Sequence, residues 1–70
     1  MPKLPGINHK EAIRVLEKFG FWIVRQGKHI TMTNGNRYIT IPRNNPINGY
    51  TMAGIIKDAG LSVEEFKEKL

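Results

Sequence analysis

Between Lys18 and Lys57 the chain holds six basic residues, no acid and a single histidine, His29. Imidazole is the side chain that exchanges a proton near neutral pH, and a field of cations draws polyanions towards it. The chemistry that this pairing can do is cleavage of a phosphodiester beside a ribose. One group must take the 2′ proton, another must protonate the leaving oxygen, and cations must offset the charge on the phosphorane. His29 suits either proton transfer by type. Arg25, Lys28 and Arg43 are near enough in sequence to contribute positive charge. Gly27 allows a tight turn and a close backbone approach, Tyr38 can stack a base or donate a hydrogen bond, and Thr31 or Thr40 can orient the ring.

Other groupings carry less. His9 falls in the first turn of a predicted helix, in line with Ile13 and Leu16. A structural or solvent-facing histidine is the ordinary reading there, because a cation opposes the helix dipole. Two histidines twenty residues apart, with no cysteine and no carboxylate in the strand region, match no metal-ligand spacing, so neither a metal nor a cofactor is expected. Gly27, Gly35 and Gly49 form no phosphate-cradling loop, since none opens a helix in the required pattern. Glu64, Glu65 and Glu68 read as a solvated helix face, with Glu64 and Glu65 also favouring the helix start.

Seventy residues make one small domain, here taken as 1–70, with little volume for an enclosed pocket. A chain this short buries only about 60% of its unfolded surface. Residues 1–43 hold eight Lys/Arg against two acids, and residues 44–70 hold three against four, so the net charge of +5 comes from the first part. A polyanionic partner follows, nucleic acid first and an acidic protein second, with a basic surface kept for solubility as the alternative. The lack of cysteine excludes disulfides. The opening Met-Pro-Lys-Leu-Pro-Gly has no apolar run for a secretory leader, and nothing approaches a membrane span, so a cytoplasmic protein is expected.

The elements that must position these residues follow from spacing. Asn8 with Glu11 predicts a capping box, with Ile7 and Ala12 as a staple, ahead of a helix carrying Ala12, Ile13, Leu16 and Phe19 and stopped by Gly20. Residues 21–24, 29–33 and 37–41 predict strands, separated by Gly27 and by Asn34-Gly35. Residues 43–50 read as a loop. Met52, Ile55, Ile56 and Ala59 then make a short helix closed by Gly60, and Ser62 with Glu65 caps a last turn or two bearing Val63, Phe66 and Leu70. The fold class is α+β, a three-stranded antiparallel sheet with helices on one face.

A two-residue turn at Asn34-Gly35 pairs Thr33 with Asn36, Met32 with Arg37, Thr31 with Tyr38, Ile30 with Ile39 and His29 with Thr40. A four-residue loop starting at Thr33 gives the same register. Alternation then sends Ile30, Met32, Ile39 and Ile41 to the helices and leaves His29, Thr31, Tyr38 and Thr40 on the open face. Phe21 and Ile23 are assigned to the core; Trp22 is either an edge cover or a stacking surface.

Several of these residues resemble one known family. Gly27-Lys28-His29, the stretch Ile39-Thr40-Ile41-Pro42-Arg43-Asn44 and the ending Ile55-Ile56-Lys57-Asp58-Ala59-Gly60-Leu61-Ser62 with Glu64-Glu65-Phe66 together resemble the HicA, or YcfA-like, toxins over nearly the whole chain. The resemblance implies an α-β-β-β-α fold like that of double-stranded-RNA-binding domains, an mRNA interferase activity and a HicB antitoxin that covers the active surface. The family's strand histidine falls on His29 and its preceding glycine on Gly27. Lys28 stands where many relatives have Ser, and Asn44 where a second histidine is common; asparagine hydrogen-bonds but does not exchange a proton near neutral pH. The expected function is thus a metal-independent endoribonuclease toxin acting on single-stranded or loop regions of mRNA. His29 is its general acid or base; if position 44 contributes to cleavage, Asn44 makes the enzyme slow or leaves RNA binding with little cutting, and if it does not, a single histidine assisted by water suffices. The alternative is a non-catalytic RNA-binding module or an antitoxin-binding domain.

Overall fold

Residues 6–70 are described by a computed structural model. Residues 1–5, which include most of the stretch read as lacking a leader, lie outside the described residues. Asn8 opens the first helix, α1 (His9–Lys18), its Oδ1 accepting the Lys10 N–H at 2.8 Å. The predicted capping box is replaced by a single cap, because Glu11 turns instead to Arg14, 3.5 Å away. Ile7 and Ala12 are both buried, as the staple requires. At the far end Gly20 adopts φ +92°, a left-handed value that lets the Gly20 and Phe21 N–H groups reach the Glu17 and Leu16 carbonyls, each at 3.1 Å. Gly60 ends the second helix in the same way.

Three antiparallel strands follow in the order β1 (Trp22–Gln26), β2 (His29–Thr33) and β3 (Tyr38–Pro42). Ile30, Met32, Ile39 and Ile41 are buried, and Phe21 joins them just ahead of β1, while Ile23 packs half-buried against this core. Helices α1 and α2 (Gly49–Asp58) lie against β3, and α3 (Val63–Glu68) packs on α2. The α+β architecture is therefore the one expected.

Helix α2 starts earlier than the sequence suggested. Asn48 caps it by accepting the Tyr50 N–H at 2.8 Å, so Gly49 and Tyr50 form its first turn instead of belonging to a loop over 43–50. Asn-Gly is a turn signal in isolation, but asparagine is equally a helix cap, and the buried Met52, Ile55 and Ile56 decide for the helix. Gly49 thus does open a helix, although without a phosphate-cradling glycine pattern. Ser62 and Glu65 form the predicted capping box in full, at 3.1 and 3.0 Å. Phe66 is consequently held fully inside the core. Among the described residues no helix is long and apolar enough to cross a membrane.

Candidate nucleic-acid interface

The β2–β3 turn determines which open-face residues are neighbours. Thr33 pairs with Tyr38 across a four-residue loop, followed by Met32 with Ile39, Thr31 with Thr40, Ile30 with Ile41 and His29 with Pro42. The pairing is displaced by two residues from the expected one. Side-chain bonds set it: Thr33 Oγ1 donates to the Arg37 carbonyl at 2.7 Å and accepts the Gly35 N–H at 3.0 Å. Asn34 Oδ1 accepts the Asn36 and Arg37 N–H groups at 3.0 and 2.8 Å. Arg37 leaves the ladder, and its Nη1 donates to the Asp58 carbonyl at 3.2 Å, at the negative end of α2.

A displacement of two preserves the faces and changes the neighbours. His29, Tyr38 and Thr40 are exposed and Thr31 half-buried, so the predicted open face exists. Tyr38, however, moves to the opposite end of β2 from His29. Four strand residues separate their rows, roughly 13 Å. A base stacked on Tyr38 therefore belongs to a different nucleotide from one reacting at His29.

Arg25 arrives by an irregularity that alternation does not anticipate. The β1–β2 pairing runs Trp22 with Thr33 and Ile23 with Met32, then resumes with Arg25 opposite Thr31. Val24 is the extra residue of a bulge, which re-aims the strand after it. Strict alternation would send Arg25 to the side of Ile23, towards the helices. Cross-strand partners share a face, so the bulge sets Arg25 beside Thr31, one row from His29.

At the His29 end, Arg43 turns back across the sheet and its Nε donates to the Gly27 carbonyl at 3.0 Å. The Gly27 N–H donates to the His29 carbonyl at 3.1 Å. Exposed Lys28 lies between them in sequence, and Asn44 is two residues beyond Pro42, the cross-strand partner of His29. Gly27 has no left-handed φ and open space where a Cβ would stand, so the tight-turn role expected of it is not what its backbone requires. What remains is a bare stretch of chain beside an imidazole. Arg25, Lys28, Arg43, Gly27 and His29 are thus gathered at one end of the sheet, and Tyr38 is not.

Charge is segregated between the layers. All six acids sit on helices: Glu11 and Glu17 on α1, Asp58 on α2, and Glu64, Glu65 and Glu68 on α3. Six cations, Lys10, Arg14, Lys18, Lys57, Lys67 and Lys69, share those helices and the α3 cap, so that layer is neutral. The other described cations, Arg25, Lys28, Arg37 and Arg43, belong to the strands and their connections. Arg37 is spent on the end of α2, which leaves three at the His29 end. The local field there is positive and lacks an intervening carboxylate.

His9 has a different task. Its N–H and ring Nδ1 lie 3.2 and 3.0 Å from Asn45 Oδ1, tying the start of α1 to the segment after β3. The Ile7–Ile47 bridge strengthens the same junction. Among the described residues, no group of three His, Cys, Asp or Glu side chains is placed to hold a metal.

A family model described as "HicA toxin of bacterial toxin-antitoxin" matches residues 9–61, well over half of the chain. No curated protein and no solved structure matches it significantly.

Proposed function

This chain belongs to the HicA toxin family, and from that membership we propose that it cleaves single-stranded or loop regions of mRNA at His29 without a metal. It is a toxin of a toxin-antitoxin system, in a family whose members are mRNA-cleaving enzymes with an RNA substrate and an antitoxin partner. The observation that supports the site is one exposed imidazole at the acid-free end of a sheet, among Arg25, Lys28 and Arg43. In the proposed reaction the ribose 2′ oxygen attacks phosphorus in line and the 5′ oxygen leaves. The 2′ proton departs to a base and the 5′ oxygen gains one from an acid, yielding a 2′,3′-cyclic phosphate and a 5′ hydroxyl. His29 carries one of these transfers and solvent the other. The three cations offset the phosphorane charge.

A single strand is the better substrate because in-line attack needs a splayed nucleotide, and a fold like that of duplex-binding domains does not fix what is bound. The whole chain, 1–70, acts as one toxin domain in the cytoplasm. A HicB-like antitoxin of complementary charge covers the same face. Labelled RNA incubated in chelator tests the reaction, since 2′,3′-cyclic ends must appear with the parent chain and not with a His29→Ala variant. Non-catalytic binding predicts affinity without fragments.

Two further expectations follow from the cations and from position 44. With about three or four phosphates neutralised, log affinity for single-stranded RNA is expected to fall with log salt at a slope of roughly −2 to −3. A slope near zero in a filter-binding titration would remove the electrostatic argument. Lys28 brings charge but no hydroxyl, and Asn44 brings no acid or base that works near neutral pH, so the enzyme is slow if position 44 takes part in cleavage. Asn44→His is expected to raise the single-turnover rate by about 10²-fold, the low end of general acid-base catalysis. Equal rates would show that position 44 takes no part.

A further inference from the structure

The end of the open face remote from His29 carries two aromatic rings that the cleavage chemistry leaves unused. Trp22 and Tyr38 are 50% and 72% exposed, and each stands opposite Thr33 from its own side, one on β1 and one on β3. Thr33 between them is only 3% exposed. The far edge of the indole, Cη2, lies 3.8 Å from where a Cβ on Gly35 would stand, so the ring extends from β1 as far as the β2–β3 turn. A half-exposed ring reaching across the sheet covers the threonine and keeps apolar surface in solvent. A ring buried for packing alone would not leave that much exposed.

The row is uncharged. The cationic end begins one row along, at Arg25 opposite Thr31, and continues to Lys28 and Arg43, with every acid confined to the helices. A surface that is aromatic at one end and cationic at the other matches single-stranded nucleic acid, which offers unpaired bases for stacking and phosphates for the cations. We propose that Trp22 and Tyr38 form a base-stacking subsite for a nucleotide remote from the cleaved phosphate. This rests on the reading of His29 as the cleavage site. The separation of roughly 13 Å between the rows of His29 and Tyr38 corresponds to about two to four nucleotides, according to how far the strand is stretched. The substrate must then be longer than the dinucleotide that chemistry requires. Stacking is tolerant of base identity, so the subsite selects for strand length and lack of pairing more than for sequence.

Trp22 is the only tryptophan in the chain, which makes its emission a direct reporter. The probe is a 2′-O-methyl RNA hexamer, which has no nucleophilic hydroxyl and remains intact. The hexamer is expected to quench Trp22 emission, a matching abasic hexamer to bind with far less quenching, and a duplex of the same sequence to leave the emission unchanged. Trp22→Ala and Tyr38→Ala are each expected to weaken hexamer affinity about 5- to 150-fold, the usual effect of losing one stacked base. Trp22→Phe retains a ring and most of the affinity, which separates stacking from a folding defect. Salt-dependent binding with unchanged emission, and with Trp22→Ala binding as tightly as the parent, would overturn the subsite and leave the His29 site standing. Quenching with no cleavage of ordinary RNA would support the subsite and sink the catalytic reading. Emission that responds to the antitoxin and to no oligonucleotide would overturn the proposal and assign the rings to the protein interface. Equal quenching by the duplex would also overturn it.

Discussion

His29→Ala is expected to lower the single-turnover cleavage of a labelled RNA by about 10²- to 10⁴-fold, the span that one positioned proton-transfer group supplies. The folded state should barely notice. His29 is exposed at the first position of β2, and surface substitutions of this kind usually change stability by less than about 0.5 kcal/mol. The rate and the melting midpoint therefore separate cleanly, and so do rate and affinity. Arg25, Lys28 and Arg43 remain in the variant, so RNA binding and its salt dependence should persist while the cyclic-phosphate product disappears. A variant that cuts as fast as its parent in chelator would end the case for His29. A variant that neither cuts nor binds would assign the histidine to contact instead of proton transfer.

Phe66→Ala should be the most damaging substitution in stability. Phe66 lies in α3, beyond the residues 9–61 that match the family model, yet it is fully buried as a member of the hydrophobic core. Truncating a buried phenylalanine costs about 3–5 kcal/mol, through lost transfer energy and the cavity left behind. A domain of this length has a total stability of only about 3–10 kcal/mol. Urea titration of the variant is expected to show a midpoint shifted far towards zero, or no transition at all. Phe66→Leu, which refills most of the volume, should fall between the two. An unchanged midpoint in Phe66→Ala would mean that α3 is an appendage and that the domain ends near Gly60. Binding of an antitoxin to the folded form would recover part of the loss, so the measurement belongs to the isolated chain.

Faces and caps are legible in the amino-acid sequence. Asn8, Ser62 with Glu65, Gly20 and Gly60 act within one turn of themselves, so their neighbours in sequence are their partners in space. Alternation in β2 and β3 is equally local, and it put His29 outside and Ile30 and Met32 inside. Glu11 and Asn48 resisted for the same kind of reason: each had two local bonding options. Glu11 went to its helical neighbour Arg14, whereas at Asn48 tertiary packing decided, with the buried Ile55 and Ile56 drawing Gly49 and Tyr50 into α2.

Residue types alone told that His29 sits in an acid-free stretch and that its strand turns it outward, because hydrophobic period and charge are written in the chain. They did not tell who stands beside it. Register depends on how Thr33 and Asn34 bond the turn backbone, and a shift of two leaves every face correct while carrying Tyr38 about 7 Å further along the strand. The position of Arg25 depends on an unpaired Val24, which exists only once two strands are laid together. Composition therefore names the chemistry, whereas pairing between distant segments assembles the cations and separates them from the rings.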